Sequence, residues 1–569
     1  MMRLGRRWLV MLTVVMLLIA TVGIGAAPGL AADSPSTRLR GINLDATTIP
    51  RLQQLMDSHR LASADLVRFY LHRIDRLNGR LHAVIAVSKT ALADARRADR
   101  ARRDGTRLPL LGIPVIVKDN IGTTGMATTA GSLALKNSRP PDAFIVARLR
   151  AAGAIVLGKA NLSEWANFRS LQSSSGWSAV GGQTNLPYAV DSNPCGSSSG
   201  SGVAAAANLA TIAIGTETDG SIVCPAGANG LVGIKPSLGL ASRSGIVPLS
   251  AQQDTPGPMA RNVTDAAVLL GVMTGVDPTD PATATSTGHV VTDYTQFLDK
   301  DALKGARIGV WRQGNFGVSP ETDAIMEATI ARLQELGATI VDPADIPIEP
   351  AYEPEFTALL YEFKHDIAAY LATLPANQPK ALQDLIDFNN AHAAQELKWF
   401  GQEIFDLAQA TGTLTDPAYI KARADATSIA QKAIDDTLAA NDLDAIIAPT
   451  NSPAWTTDLV NGDHFSIGSS SPAAIAGYAS ITVTAGAAFG LPVGVSFIGG
   501  KWAEPKLISL AYAWEQATKL RKPPSFLPTV PASATSGIPT VKPAGSAVRR
   551  LEQMTKASTR ERPIIHPAR

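Results

Sequence analysis

In "ADLVRFYLHRIDRLN" the apolar residues Leu66, Tyr70, Ile74 and Leu77 recur at the spacing of one helical face, which predicts an amphipathic helix capped by Ser63. The period then changes. In "LGIPVIVKDNI" an unbroken, β-branched run over residues 114–117 predicts a strand buried on both faces, with Lys118 and Asp119 at its end. "FIVARLRAAGAIVLGKANLSEW" reads as a helix and then a strand over 154–157, and "VAAAANLATIAIGTET" repeats that order with a strand over 212–214. "RIGVWRQGNFG" and "EATIARLQELGATIVD" continue the alternation, which predicts an α/β fold: a mixed or parallel β-sheet covered by helices. Residues 350–440 are mostly helical in pattern and predict a helical insertion over the sheet. Strand-like "LDAIIAPT" and "GLPVGVSFIGG" follow, and the periodic pattern ends near Lys519.

The two ends of the chain read differently. Basic residues, an apolar run over 8–24 and small residues around Ala31 have the order of a secretory signal peptide, predicted over 1–32. Arg6 and Arg7 before Trp8 also fit a twin-arginine signal, so an exported protein, periplasmic or extracellular, is expected. After Pro523 the chain turns rich in Pro, Ser, Ala, Lys and Arg, which predicts a disordered tail over 526–569 and leaves 33–525 as one large domain. With 45% hydrophobic and 18% charged residues, the chain has the material for a large core. A net charge of +2 with acids and bases interspersed gives no basic block, so no nucleic-acid partner is expected. The spacings that hold zinc are absent from the sequence, and the two cysteines, Cys195 and Cys224, leave both a disulfide and two buried thiols open.

Those cysteines bracket "CGSSSGSGVAAAANLATIAIGTETDGSIVCPA", residues 195–226. A Ser/Gly run suits a flexible linker, but this one flows into an alanine-rich helix over 203–209 that is too apolar to sit in water. A Ser/Gly loop leading into a buried helix instead offers oriented N–H donors at a positive helix end. In "GTETDGS", Gly220 lets the backbone turn closely before Ser221, and the N–H groups of Thr218, Asp219, Gly220 and Ser221 are candidates for an oxyanion hole. A serine nucleophile needs a base, and no histidine lies between His82 and His289. Lys118, at the end of an apolar strand, is the alternative, because burial lowers a lysine toward neutrality.

Three stretches in this order, "GIPVIVKDN", "CGSSSGSGVAAAAN" and "GTETDGSIVCPA", resemble the amidase signature family, and the resemblance runs from about Leu52 to Ala517. It implies a single large amidase-signature domain with Ser221 as nucleophile, Lys118 as ultimate base and Ser197, preceded by a cis peptide bond, relaying protons between them. Two positions depart from the family pattern: Cys195 replaces a glycine and Val223 replaces an arginine. "SSSGWSAVGGQTNLPY", "QDTPGPMAR", "DPAYIKARADA" and "EPKLISLAYAWEQ" are most similar to the peptide amidase branch. In "GYASITVTAG" the family prefers prolines where Ala479 and Thr484 stand, so a different pocket border is expected there.

The resemblance implies hydrolysis of a carboxylic amide, with the C-terminal amide of peptides as the expected substrate, to free acid and ammonia, without metal or organic cofactor. A general amidase for small aliphatic or aromatic amides is the alternative within the family. An ammonia-delivering transamidation subunit is disfavoured by the expected signal peptide, and stable membrane association after its removal is not expected. Outside the family, Gly196, Ser198 and Gly200 formally match Gly-x-Ser-x-Gly, which with a histidine such as His464 would read as an α/β-hydrolase esterase. A non-catalytic exported binding protein is the remaining reading.

Overall fold

Residues 36–535 are described in a computed structural model, so the expected signal segment and positions 536–569 of the expected tail lie outside the described residues. Eleven strands form one sheet: β1 (Val84–Val87), β2 (Pro114–Lys118), β3 (Ile155–Ala160), β4 (Ile212–Glu217), β5 (Val232–Lys235), β6 (Thr255–Ala260), β7 (Arg307–Val310), β8 (Thr339–Val341), β9 (Ala445–Pro449), β10 (Ser480–Ala488) and β11 (Leu491–Ile498). Their order across the sheet is β8-β7-β9-β11-β10-β5-β6-β4-β2-β3-β1. β2 runs parallel to β3 and β4, and β7 runs parallel to β8 and β9. The other neighbours pair antiparallel, so the sheet is mixed.

The apolar runs form strands covered on both sides. Along β9, Ala445 and Ile447 pack into one core while Ile446 and Ala448 pack into another, so successive side chains meet helices on opposite faces. That is why the sequence shows continuous apolar runs here and not alternation. The principal helices are α1 (Ser63–Leu81), α2 (Ser199–Ala206), α3 (Val223–Ala228), α4 (Tyr352–Ala372), α5 (Pro417–Ala440), α6 (Ser471–Ala476) and α7 (Glu504–Thr518). From α4, Leu359, Phe363 and Ile367 bury against Trp165, Phe168, Val247 and Leu249, so the helices after residue 350 cover the loops beyond the ends of β2 and β3.

Three local expectations shift. The cap of α1 is not the Ser63 side chain: Ala62 holds the cap position, and the Asp99 carboxylate accepts the N–H groups of Ser63 at 2.7 Å and Ala64 at 3.1 Å. A carboxylate brought from the neighbouring helix serves the orphan donors better than a neutral hydroxyl. The alanine-rich helix begins at Ser199, four residues early, because serine and glycine are tolerated in a first turn whose N–H groups need no helical partner. Packing also continues past residue 525: Phe526 is buried, its N–H bonds to Pro187 O at 2.8 Å, and Leu527 O accepts from Val190 N at 2.8 Å.

Candidate active site

Parallel neighbours deliver their C-terminal ends to the same edge of a sheet. β2 ends at Lys118 and its parallel neighbour β4 ends at Glu217, in a register that sets Val117 beside Ile214. The turn 218–221 therefore emerges next to the lysine, although a hundred residues separate them in sequence.

The Ser/Gly run is fastened to that edge. Ser197, Ser198, Ser199 and Ser201 are all fully buried. Ser198 Oγ donates to Thr216 O at 3.0 Å and Ser201 Oγ to Ile214 O at 3.0 Å, both on β4, while Ser199 Oγ donates to Cys195 O at 2.6 Å. Gly200 is required by close approach: a Cβ there would stand 2.5 Å from the carbonyl oxygens of both Ala83 and Asn161. This is a packed device, and the linker reading fails.

The Gly196–Ser197 peptide bond is cis. Ser197 Oγ lies 2.8 Å from Lys118 Nζ, which also reaches Thr216 O at 3.1 Å and Thr216 Oγ1 at 3.0 Å. Asn120 Nδ2 donates to that same Thr216 hydroxyl at 2.9 Å. Burial pulls the Lys118 ammonium down to about 7, with the charges of Asp254 and Glu217 acting the other way. A neutral amine has two N–H bonds for Thr216 and one lone pair left to face the Ser197 hydroxyl, which is the arrangement a base requires.

Ser198 N–H donates to Ser221 O at 3.1 Å, joining the residue after Ser197 to Ser221. Glu217 Oε2 accepts from Ile222 N at 2.7 Å and Val223 N at 3.0 Å, holding the start of α3 directly behind Ser221. Asp219 is gripped from α6: Ser470 Oγ donates to Oδ1 at 2.5 Å and Ser471 Oγ to Oδ2 at 2.7 Å. Gly220 takes φ +75°, and a Cβ there would meet Ser470 Oγ at 2.9 Å. The N–H groups of Asp219, Gly220 and Ser221 find no protein acceptor among the described residues, which leaves them for an oxyanion. Beside the turn opens a cavity of about 430 Å³, lined in part by Asn120, Trp165, Thr216, Thr218, Val247 and Tyr370.

Cys195 and Cys224 pair as a disulfide across 29 residues, tying the cis-serine loop to α3. Cys195 adopts φ +59°, the left-handed region that explains a glycine at this position in the family pattern. Closing a loop of this length removes about 3–4 kcal/mol of unfolded-chain entropy. Replacing both cysteines with serine is expected to lower stability by that amount, read as a lower urea midpoint than that of the oxidised wild type. Coincident midpoints would refute it.

The α/β-hydrolase alternative does not survive. No strand leads into Ser198, its hydroxyl is spent on Thr216, and His464 is exposed and bonded to Asp458. Thr484 borders a different cavity, with Ile325 and Trp514, and its carbonyl accepts from Trp514 Nε1 at 3.0 Å. Sequence reasoning missed Glu217, Asp254, Ser470 and Ser471. Glu217 and Asp254 stand inside stretches already singled out, "GTETDGS" and "QDTPGPMAR", whereas nothing local marks the two serines.

A family model described as amidase matches residues 65–508. The chain belongs to the amidase family. This amidase is 52% identical to the native peptide amidase of Stenotrophomonas maltophilia, with a TM-score of 0.81, covering 84% of this chain and 99% of that one. It is equally 52% identical to a peptide amidase in complex with the competitive inhibitor chymostatin, at a TM-score of 0.82 with the same coverage. A probable amidase of Arabidopsis thaliana is 41% identical over 498 residues, 85% of this chain and 92% of that protein. The amidase is an amide-hydrolysing enzyme with the amidase-signature α/β fold.

Proposed function

We propose that this amidase hydrolyses the C-terminal amide of peptides to the free acid and ammonia through an acyl-enzyme on Ser221. The contact that carries the reading is Lys118 Nζ to Ser197 Oγ, 2.8 Å, inside a fully buried site. Neutral Lys118 takes the Ser197 proton, and Ser197 takes that of Ser221 as Ser221 Oγ attacks the amide carbonyl. The oxyanion is received by the N–H groups of the turn Thr218, Asp219, Gly220 and Ser221. As the C–N bond breaks, the proton returns through Ser197 to the nitrogen, which leaves as ammonia. Water then attacks the ester by the same relay and releases acid and Ser221. Water supplies one hydrogen to ammonia and the hydroxyl to the acid, so the reaction balances without any other reactant.

Relatedness to proteins named peptide amidase supports the peptide substrate. The size of the cavity beside the turn, about 430 Å³, suits a ligand larger than a two-carbon amide. The basic, apolar and small-residue order over 1–32 supports an exported enzyme. The test is ammonia release from an amidated dipeptide, from acetamide and from the unamidated dipeptide. The peptide amide is expected to lead acetamide in kcat/KM by about tenfold or more, the return on roughly 1.4 kcal/mol of remote contacts in the transition state. Release mainly from acetamide would replace this substrate by small amides and leave the chemistry standing.

A further inference from the structure

The carboxylate of Asp254 has no part in the relay described above, yet it meets both halves of the site. β6 pairs antiparallel with β4 and sets Thr255 opposite Glu217, so one further step of register brings Asp254 opposite Thr218. Thr218 Oγ1 donates to Asp254 Oδ1 at 2.6 Å. The other oxygen accepts from Leu249 N at 2.7 Å and Ser250 N at 3.0 Å, which closes the loop 249–254 on itself. That loop is held from the helical layer: Ser250 Oγ donates to Glu362 at 2.6 Å, and Arg423 donates to Gln253 Oε1 at 2.9 Å. Asp254 shares the wall of the cavity beside the turn with Thr216, whose carbonyl and hydroxyl hold the lysine amine, and with Asn120, which donates to that same hydroxyl.

We propose that Asp254 is a positioning residue for amide hydrolysis, fixing the oxyanion turn through Thr218 and facing Lys118 as the carboxylate beyond Thr216. The inference rests on Lys118 being the base. Two carboxylates act on Lys118: Asp254, the stronger, and Glu217. Asp119, next in the chain, lies 3.3 Å from Lys159. Asp254 faces Arg243, which Asp280 and Asp366 also engage. Desolvation raises Asp254 to about 6, so it is ionised where Lys118 titrates. An ionised carboxylate favours the ammonium, so it holds the base in its inactive form to a higher pH than burial alone would.

Asp254→Asn keeps an oxygen for Leu249 and Ser250 and an amide for Thr218 while removing the charge. Its acid limb of kcat/KM against pH is expected to move down by about half a unit, because Asp254, at about 6, itself loses its charge lower on the limb, so that activity at pH 6.5 relative to pH 8.5 rises by up to about twofold. Thr218→Val keeps the carboxylate and drops its hydroxyl partner, and is expected to lower kcat about tenfold with the limb unmoved. A folded Asp254→Asn enzyme with the wild-type limb, or a Thr218→Val enzyme with wild-type kcat, overturns the proposal. If the limb also persists in Lys118→Met, the assignment of the base falls with it. A limb that vanishes in Lys118→Met and stays put in Asp254→Asn overturns the role of Asp254 alone.

Discussion

Ser221→Ala is expected to cut kcat for amide hydrolysis by a factor on the order of 10⁴ to 10⁶, the loss seen when an acyl-transfer enzyme keeps its oxyanion donors but has no nucleophile. The donors belong to the backbone of residues 218–221, and the grips on them, Ser470 and Ser471 on Asp219 and Glu217 on the start of α3, do not use the Ser221 hydroxyl. The variant should therefore keep its fold and its substrate affinity. Ammonia release measures the rate, a thermal transition checks the fold, and intact mass after a fluorophosphonate shows whether one adduct forms in wild type and none in the variant. Ser198→Ala is the contrast: its hydroxyl bonds to Thr216, so stability should suffer and labelling should remain. Labelling that disappears with Ser198 and survives in Ser221→Ala would overturn the nucleophile.

The readable parts of this protein share a property: what they need is local. β2 announces itself because a strand covered on both faces must be apolar throughout, and Lys118 stands out as the charge that ends it. The Ser/Gly run stands out because a linker composition enters a helix that cannot face water. Other parts depend on partners that only the fold supplies. Ser63 has the composition of a cap, but Asp99 arrives from the next helix and takes over. Asp254 becomes part of the site through strand register, and Ser470 and Ser471 through a contact spanning some 250 residues. No spacing in the sequence encodes either. The sequence leaves the pairing of Cys195 with Cys224 equally open, because it needs the loop before α2 and the start of α3 to meet, and the Ser198 to Ser221 bond is the contact that joins them. At residue 526 the composition turns polar, yet a single aromatic, Phe526, carries the packed chain onward.

Lys118→Met should remove the base while filling much the same volume, and a loss of about 10² to 10⁴ in kcat is expected, the range of general-base contributions. The pH dependence identifies the group more sharply than the size of the loss. The active form is the neutral amine, present above the pKa, and burial has brought that pKa to about 7. Wild-type kcat/KM should therefore fall as pH drops through about 7, losing about tenfold per unit on the acid side. An ordinary exposed lysine would place that limb beyond pH 10 and leave the enzyme almost inactive at neutrality. In Lys118→Met the residual rate should be flat across the same range, because the group whose deprotonation shaped the profile is gone. Ser197→Ala makes the complementary case. It keeps the amine and breaks the path from it to Ser221, so a similar loss is expected, and the lone pair of Lys118 then faces an empty position that a water molecule fills imperfectly. A profile in Lys118→Met that keeps its limb near neutrality would move the base elsewhere, and Asp254, raised to about 6, would be the first group to replace.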